Sequence, residues 1–249
     1  EELIFKFELK EDDTYKVVGY YKDDYIVVIP SEYEGKPVTE IAENAFQSKR
    51  VMSVTLPKTL TTIGDFAFYH SRVAEIINLS KIDLANAAFY DYGWITSSPK
   101  LVIKTSGTSD IYNVGDFYFL PFEGKEYLIY YAGTGKKVKI PNLDNGKKIV
   151  INAFAFEQKV DDYTWQNELE EVDMSANVCE VKGAAFNGCA SLKRVIVGKS
   201  LAWLDNESFR IGSGLSAIDV YYLGTAEDWK NVTIDYEPEY KDMYYDMTF

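Results

Sequence analysis

The chain has 249 residues, of which 47% are hydrophobic and 15% are aromatic, and this composition excludes an intrinsically disordered chain. Its formal net charge of −13 at pH 7 repels phosphate groups, which argues against nucleic acids and anionic membranes as partners. No run of roughly 20 apolar residues occurs, so the sequence predicts no membrane insertion of this segment.

Residues 1–29 alternate between apolar and polar side chains. The pattern is clearest in Leu3-x-Phe5-x-Phe7-x-Leu9, and acidic turns separate the apolar runs. Such alternation is typical of half-buried strands. We therefore expect an N-terminal β cap that covers the open end of a stack of repeats.

Residues 30–104 contain a motif that occurs three times and ends at Phe46, Phe68 and Phe89. A small residue precedes each Phe, an aliphatic residue lies five positions before it, and the first two Phe are 22 residues apart. A spacing of 21 to 23 residues lies in the range of leucine-rich repeats, each of which supplies one strand and one turn or short helix.

Residues 105–148 interrupt the pattern and predict a β-hairpin insertion. The stretch from Tyr130 to Pro141 resembles the stretch from Tyr20 to Pro30. The chain therefore consists of two similar halves, each with a hairpin segment followed by three repeats. We expect one continuous stack, although two separate bodies would also fit the pattern.

Residues 149–234 contain three further copies, which end at Phe156, Phe186 and Phe209. A polar stretch at 157–167 predicts a loop insertion in the first of them. The remaining residues, 235–249, form a C-terminal tail rich in Tyr and acidic residues. The six Phe side chains are expected to form one buried row.

The strand of each repeat follows its Phe and has the pattern L-x-x-L-x-L. Examples are Val51-x-x-Val54-x-Leu56 and Leu192-x-x-Val195-x-Val197. The last two apolar positions alternate, so they share one face of a strand. The predicted fold class is an α/β-type leucine-rich repeat solenoid, with a parallel sheet on one face and turns or short helices on the other.

The string Ala184-Ala-Phe-Asn-Gly-Cys189-Ala-Ser-Leu-Lys-Arg-Val-Ile-Val197 closely resembles the BspA-like leucine-rich repeat, and so does Leu56 to Phe68. The resemblance covers most of residues 15–231. It implies a bacterial protein that is secreted or held at the cell surface and that binds host proteins or mediates adhesion. It implies no catalytic residues, because the family shares none.

Few residues in the sequence suggest catalysis. His70 is the single histidine, and with the two cysteines, Cys179 and Cys189, it cannot complete a zinc site. No nucleophile motif accompanies it. We therefore expect no enzyme, no metal and no cofactor. The cysteines are expected to be free thiols, with a disulfide as the alternative.

The sequence predicts a non-enzymatic binding or adhesion protein that recognises host extracellular proteins or glycans. A structural spacer and a carbohydrate-active enzyme are the alternatives. Its location is expected to be extracellular or at the cell surface, with any export signal already removed, because the chain starts at Glu1. The sequence leaves the oligomeric state open.

Two surfaces are candidates for binding. One comprises aromatic residues at departures from the repeat, where exposed Tyr and Trp commonly anchor recognition; these are Tyr92, Trp94, Tyr163 and Trp165. The alternative is that these aromatics fold back onto the solenoid. The second surface is the outward face of the sheet, formed by Ser53, Thr55, Glu171, Asp173, Arg194, Ile196, Asp219 and Tyr221.

Overall fold

The computed structural model describes residues 4–22, 24–87, 91–95, 102–158, 167–205, 207–209 and 218–235. The chain divides into two compact units, Glu1–Asp110 (unit 1) and Ile111–Phe249 (unit 2). Each unit has its own hydrophobic core. The boundary between the units falls inside the segment that the sequence predicts as an insertion, 105–148.

Unit 1 is built from short strands. In chain order they are β1 (Phe5–Leu9), β2 (Tyr15–Tyr20), β3 (Ile26–Val28), β4 (Glu32–Tyr33), β5 (Lys36–Ile41), β6 (Ser53–Leu56), β7 (Thr62–Ile63), β8 (Glu75–Asn78) and β9 (Val102–Lys104), with a 3₁₀ turn at Tyr92–Trp94.

Two sheets face each other across the core of unit 1. The first sheet has the order β1-β2-β5-β7. The β1–β2 pair is antiparallel, and the β2–β5 and β5–β7 pairs are parallel. In the second, β3, β6, β8 and β9 are all parallel. We call this second sheet the outer sheet of unit 1. Each turn of the chain contributes one strand to each sheet.

Unit 2 repeats this plan with more strands. They are β10 (Tyr112–Val114), β11 (Phe117–Phe122), β12 (Lys125–Tyr131), β13 (Lys137–Lys139), β14 (Ile149–Ile151), β15 (Glu171–Met174), β16 (Val178–Val181), β17 (Arg194–Val197), β18 (Trp203–Leu204), β19 (Asp219–Tyr222) and β20 (Thr233–Ile234), with one helical turn, α1 (Ala226–Trp229), between the last two.

In unit 2, an antiparallel β10-β11-β12 meander leads into the parallel strands β14, β16, β18 and β20. The outer sheet of unit 2 consists of the parallel strands β13, β15, β17 and β19. The hairpin that the sequence predicted is therefore present as β11 and β12. It stands at the start of this sheet, as β1 and β2 do in unit 1, while β13 already belongs to the outer sheet.

The motif-ending Phe residues stack inside each unit. The rings of Phe46 and Phe68 are 4.9 Å apart and nearly parallel. In unit 2, Phe186 lies 4.8 Å from Phe156 and 5.7 Å from Phe209. All five are buried, as the sequence predicted, while Phe89 lies outside the described residues. Offset aromatic stacks of this kind add stability beyond the area that they bury.

The small residue before each Phe permits close contact between successive turns. The amide N–H of Phe46 donates to the carbonyl of Ala67 at 2.8 Å, and that of Phe156 donates to the carbonyl of Ala185 at 3.0 Å. Both alanines are buried. A larger side chain would hold the turns apart and break these hydrogen bonds, which explains the small residue in the sequence pattern.

The second strand of each repeat was not predicted. The fold class is confirmed, but most of the turn-side face consists of short parallel strands rather than helices. The aliphatic residue five positions before the Phe lies in such a strand, for example Ile63 in β7 and Leu204 in β18. β7 and β18 are only two residues long, too short for a period of two to be visible in the sequence.

Candidate functional site

The outer sheet of unit 2 presents a regular face to solvent. Its inward row, Val138, Val172, Val195 and Val220, lies in or against the unit 2 core. Because side chains alternate along a strand, the residues on either side of this row face outward. We call these outward residues the charged sheet face; they are Lys137, Lys139, Glu171, Asp173, Arg194, Ile196, Asp219 and Tyr221.

One row of this face alternates in charge from strand to strand. The register places Lys137, Glu171, Arg194 and Asp219 side by side, about 4.8 Å apart along the sheet. Glu171 accepts from the guanidinium of Arg194 at 3.3 Å and lies 3.6 Å from the ammonium of Lys137. Opposite charges thus neutralise each other on an otherwise acidic chain.

The neighbouring row contains a second ion pair and then becomes apolar. The ammonium of Lys139 lies 2.9 Å from a carboxylate oxygen of Asp173. Burial alone would raise the pKa of Asp173, but hydrogen bonds from Ser175 and Lys139 outweigh it and lower the pKa. Asp173 is therefore held in its ionised form, and Ile196 and Tyr221 complete the row.

Arg194 and Tyr221 form the exposed end of the charged sheet face. The guanidinium carbon of Arg194 lies 5.1 Å from the centre of the Tyr221 ring, within the range of a cation–π contact. The side chains are 46% and 48% exposed. Glu171 on one side and Tyr221 on the other restrict the guanidinium, so the pair presents a planar, partly ordered surface to solvent.

The outer sheet of unit 1 differs in chemistry and in exposure. The equivalents of Lys137, Glu171, Arg194 and Asp219 are Ile26, Ser53, Glu75 and Val102. Ser53 and Glu75 are fully buried although they belong to the outward row. The predicted site residue Ser53 is therefore not available to a ligand in this conformation, and its neighbour Thr55 is half-buried.

Glu75 is buried because the chain after β9 folds over the sheet. Its carboxylate accepts from the hydroxyls of Ser53 at 2.8 Å and Ser109 at 2.6 Å, and from the amide of Asp110 at 3.2 Å. The ammonium of Lys104 lies 3.0 Å away. We call Ser109–Asp110 the cover segment. A buried carboxylate with this many donors is compensated for its lost hydration.

The second group of predicted site residues is described only in part. Tyr92 is half-buried and packs against the unit 1 core. The backbone of Trp94 belongs to the 3₁₀ turn, but its side chain, like Tyr163 and Trp165, lies outside the described residues. A Cβ at Gly93 would come within 2.4 Å of the carbonyl oxygen of Gly64, so this turn packs tightly against the preceding one.

Potential catalytic groups are scattered. His70 is exposed in a turn of unit 1 and contacts the ring of Tyr69. Cys179 and Cys189 are free, buried thiols, and burial raises the pKa of Cys189 to about 12. In the described ranges, no three His, Cys, Asp or Glu side chains are placed to hold a metal ion. Within the same ranges, we find no helix long and apolar enough to cross a membrane.

Sequence reasoning missed two residues of the charged sheet face, Lys137 and Lys139, because they were assigned to the hairpin insertion. The echo between Val27-Val-Ile-Pro30 and Val138-Lys-Ile-Pro141 could have revealed them. Both stretches begin the outer sheet of their unit.

Comparisons with known proteins agree with this architecture. A family model described as a BspA type leucine rich repeat region matches six copies, over residues 31–113 and 130–225. A search of curated proteins finds no match.

Several solved structures are similar. A leucine-rich cell surface protein from Faecalibacterium prausnitzii is 13% identical, with 95% of this chain and 98% of that chain covered and a TM-score of 0.32. A leucine-rich repeat protein from T. pallidum is 19% identical, with coverages of 86% and 90% and a TM-score of 0.31. The pneumococcal vaccine antigen PcpA is 16% identical, with coverages of 92% and 79% and a TM-score of 0.25.

Proposed function

The chain belongs to the BspA-type leucine-rich repeat family, and from this premise we propose that it is a non-enzymatic binding protein of the bacterial surface or secretome. Its partners are host extracellular proteins or glycans. Proteins of this family are in general non-catalytic surface proteins. The binding surface that we propose is the charged sheet face of unit 2.

The observation that supports this surface most directly is the exposed Arg194–Tyr221 pair. Arg and Tyr are among the residues that contribute most to binding energy in protein interfaces. A Tyr ring also offers an apolar face and a hydroxyl to a sugar or a peptide. Because Glu171 and Tyr221 already restrict Arg194, little side-chain freedom would be lost on binding.

The charge pattern limits the class of partner. Lys137, Glu171, Arg194 and Asp219 alternate in sign, so the face attracts neither strongly acidic nor strongly basic polymers. A neutral glycan or a protein surface with mixed charges fits it better. Partner charges arranged in the complementary alternating order would gain specificity more than raw affinity.

A structural spacer is the second candidate function. A stack of repeats stabilised by neighbour contacts forms a stiff body, and the ion pairs of the charged sheet face would then serve only solubility. A carbohydrate-active enzyme is a third, more distant alternative. The three functions differ in what happens to a ligand: a binding protein captures it, a spacer does not contact it, and an enzyme changes it chemically.

A binding screen separates these functions. The full chain is tested against a glycan array and, immobilised, against purified host extracellular matrix proteins. We expect capture of at least one ligand, and expect Arg194→Ala and Tyr221→Ala to weaken it by about tenfold. Matched controls are Lys193→Ala, beside the sheet face, and Tyr21→Ala, an exposed tyrosine of unit 1.

The outcomes are distinct. Capture that the site variants lose and the controls keep supports the proposal. No capture by a folded chain favours the spacer. Turnover of a glycan that a single Asp or Glu substitution abolishes would overturn the non-enzymatic assignment.

A further inference from the structure

The two caps have the same strand pairing, including the same irregularity. In unit 1, Phe5, Lys6 and Phe7 of β1 lie opposite Tyr20, Gly19 and Val17 of β2, which leaves one extra residue on β2. In unit 2, Phe117, Tyr118 and Phe119 of β11 lie opposite Tyr131, Tyr130 and Leu128, again with one extra residue on the second strand. Phe5, Lys6 and Phe7 are therefore equivalent to Phe117, Tyr118 and Phe119.

The caps differ on their outer side. In unit 2, β10 pairs antiparallel with the outer side of β11. Tyr112 lies opposite Phe119, with the rings 5.6 Å apart and stacked, Asn113 lies opposite Tyr118, and Val114 lies opposite Phe117. Across residues 4–22, 24–87, 91–95 and 102–110, no strand occupies the corresponding position beside β1.

Among the described residues, β1 pairs through one side only, with β2. The carbonyl of Ile4 accepts from Tyr21 and the amide of Lys10 donates to Thr14, so the even-numbered residues bond towards β2. Because backbone direction alternates along a strand, Phe5, Phe7 and Leu9 direct their N–H and C=O groups away from β2. Leu9 is 49% exposed. An edge strand with free N–H and C=O groups readily pairs with another chain.

The sequence of β1 matches the strand that fills this position in unit 2. From the stacked Tyr112 towards its C-terminal end, β10 has the sequence Tyr112-Asn113-Val114: aromatic, polar, aliphatic. Strand β1 reads Phe7-Glu8-Leu9 in the same order. We propose that a second copy of this chain pairs through β1, antiparallel and centred on Phe7, so that Phe7 faces Phe7, Glu8 faces Lys6, and Leu9 faces Phe5 across the two-fold axis.

This register is selected by charge. Lys6 is exposed and has no carboxylate partner in the described part of the chain, and Glu8 bonds Lys16 of β2 at 2.8 Å. Centring on Phe7 creates two symmetry-related Lys6–Glu8 pairs, at non-hydrogen-bonded positions where side chains are closest. Moving the centre by one residue in either direction would instead place Lys6 opposite Lys6 or Glu8 opposite Glu8.

The result is an isologous interface that extends one sheet through the two-fold axis. Five-residue strands bury little area, so the dimer is weak and its population depends on concentration. The net charge of −13 on each chain also opposes association at low salt.

Sedimentation velocity of the full chain, from micromolar to millimolar concentration, tests the proposal. We expect a reversible monomer–dimer equilibrium. Lys6→Glu and Glu8→Lys each turn two attractive cross-strand pairs into repulsive ones and should raise the dimer dissociation constant by about tenfold. The charge-swapped double variant K6E/E8K restores opposite charges and should dimerise again. Lys58→Glu makes the same charge change on an exposed residue that follows β6, in the other sheet of unit 1, and should have no effect.

A second pair of variants serves if the swapped chain does not fold. Leu9→Lys blocks the edge without touching the core, and Leu79→Lys is its exposed counterpart elsewhere in unit 1. Thermal melting of each variant checks folding. A chain that stays monomeric throughout, a Leu9→Lys dimer as tight as the unaltered one, or a folded K6E/E8K chain that fails to associate would each overturn the proposal.

Discussion

The outer sheets of units 1 and 2 have the same strand arrangement but opposite surfaces. Both have an inward row of Val and Ile: Val27, Val54, Ile76 and Ile103 in unit 1, and four Val in unit 2. The outward rows differ at every position except one, where Ile77 of unit 1 is equivalent to Ile196 of unit 2. Unit 1 has aliphatic residues and a buried carboxylate under a cover segment, whereas unit 2 has an open row of alternating charges.

This difference shows that different residues determine the packing of the repeats and the chemistry of their surface. The inward positions must fit against neighbouring turns, because no repeat buries its apolar face alone. The outward positions are not constrained by the fit between turns, because those of unit 2 form exposed ion pairs and Glu75 of unit 1 bonds the cover segment. They can therefore change sign, size and exposure without altering the stack. Function is therefore to be sought in the outward positions.

The largest expected effect is on the Phe stacks, where the two units are alike. Phe68→Ala and Phe186→Ala each remove a fully buried ring and should cost about 3–5 kcal/mol of unfolding free energy. Hydrogen exchange should report the damage within the altered unit: faster exchange in β5 to β8 for the first variant, and in β14 to β18 for the second.

Chemical denaturation gives the size of the effect and exchange gives its location. A cost below about 1 kcal/mol would contradict the buried-stack description. Equal loss of protection in both units after either change would show that the Phe stacks do not stabilise their units separately.

The next largest effect is the difference in unfolding free energy between removing the buried carboxylate of Glu75 in unit 1 and the partly exposed carboxylate of Glu171 in unit 2. Glu75→Ala removes a buried carboxylate that accepts from four donors; Lys104 keeps its ion pair with Asp110, but the hydroxyls of Ser53 and Ser109 and the amide of Asp110 lose this acceptor. It should cost about 3 kcal/mol. Glu171→Ala breaks only partly exposed pairs with Lys137 and Arg194 and should cost less than about 1 kcal/mol.

Urea denaturation of both variants measures this contrast. Proteolysis between β9 and β10 should also accelerate in Glu75→Ala, because the cover segment loses its two hydrogen bonds to Glu75. Equal costs for the two substitutions would contradict the difference in burial.

A smaller effect concerns pH and sharpens the contrast at one pair of equivalent positions, Asp173 and Thr55. The pKa of Asp173 is lowered in the folded state because hydrogen bonds from Ser175 and Lys139 outweigh the effect of burial. A lowered folded pKa stabilises the protein above the unfolded pKa, and this contribution is lost as the pH falls through the folded value.

Asp173→Asn should therefore reduce stability by less than about 1 kcal/mol at neutral pH, and the difference from the unaltered chain should shrink as the pH falls towards the lowered pKa of Asp173. Denaturation at about pH 7 and about pH 3 measures this. Thr55→Ala is the control, because any cost there should not depend on pH. A deficit for Asp173→Asn that persists in acid would mean that it arises from packing rather than charge.

Much of the fold could be predicted from the sequence, because the core of each repeat is local. The Phe row, the small residue before each Phe and the inward strand positions all follow from spacing. The candidate surface was less predictable. Ser53 was predicted to be exposed, but its burial depends on Ser109, 56 residues later, which contacts the shared carboxylate of Glu75. Such a contact is not part of the repeat pattern, so the pattern does not predict it.

The Arg194–Tyr221 pair could be predicted as a shared face but not as a contact. The pattern L-x-x-L-x-L places both side chains outward. The register of β17 and β19 sets Arg194 opposite Asp219, so that its guanidinium reaches diagonally over the ring of Tyr221, two residues further along β19. Register across 25 or so residues follows from the stacking of whole turns.

The central claim is that ligand binding uses the charged sheet face of unit 2 rather than the outer sheet of unit 1. The most direct measurement is the affinity of a ligand captured in the screen for two double variants, Arg194→Ala/Tyr221→Ala and, at the exposed edge of the unit 1 sheet, Ile26→Ala/Val28→Ala. We predict that the first weakens binding by about tenfold or more with little change in melting temperature, and that the second changes it less than about twofold. Equal affinities for both variants, or a loss confined to the unit 1 variant, would contradict the claim.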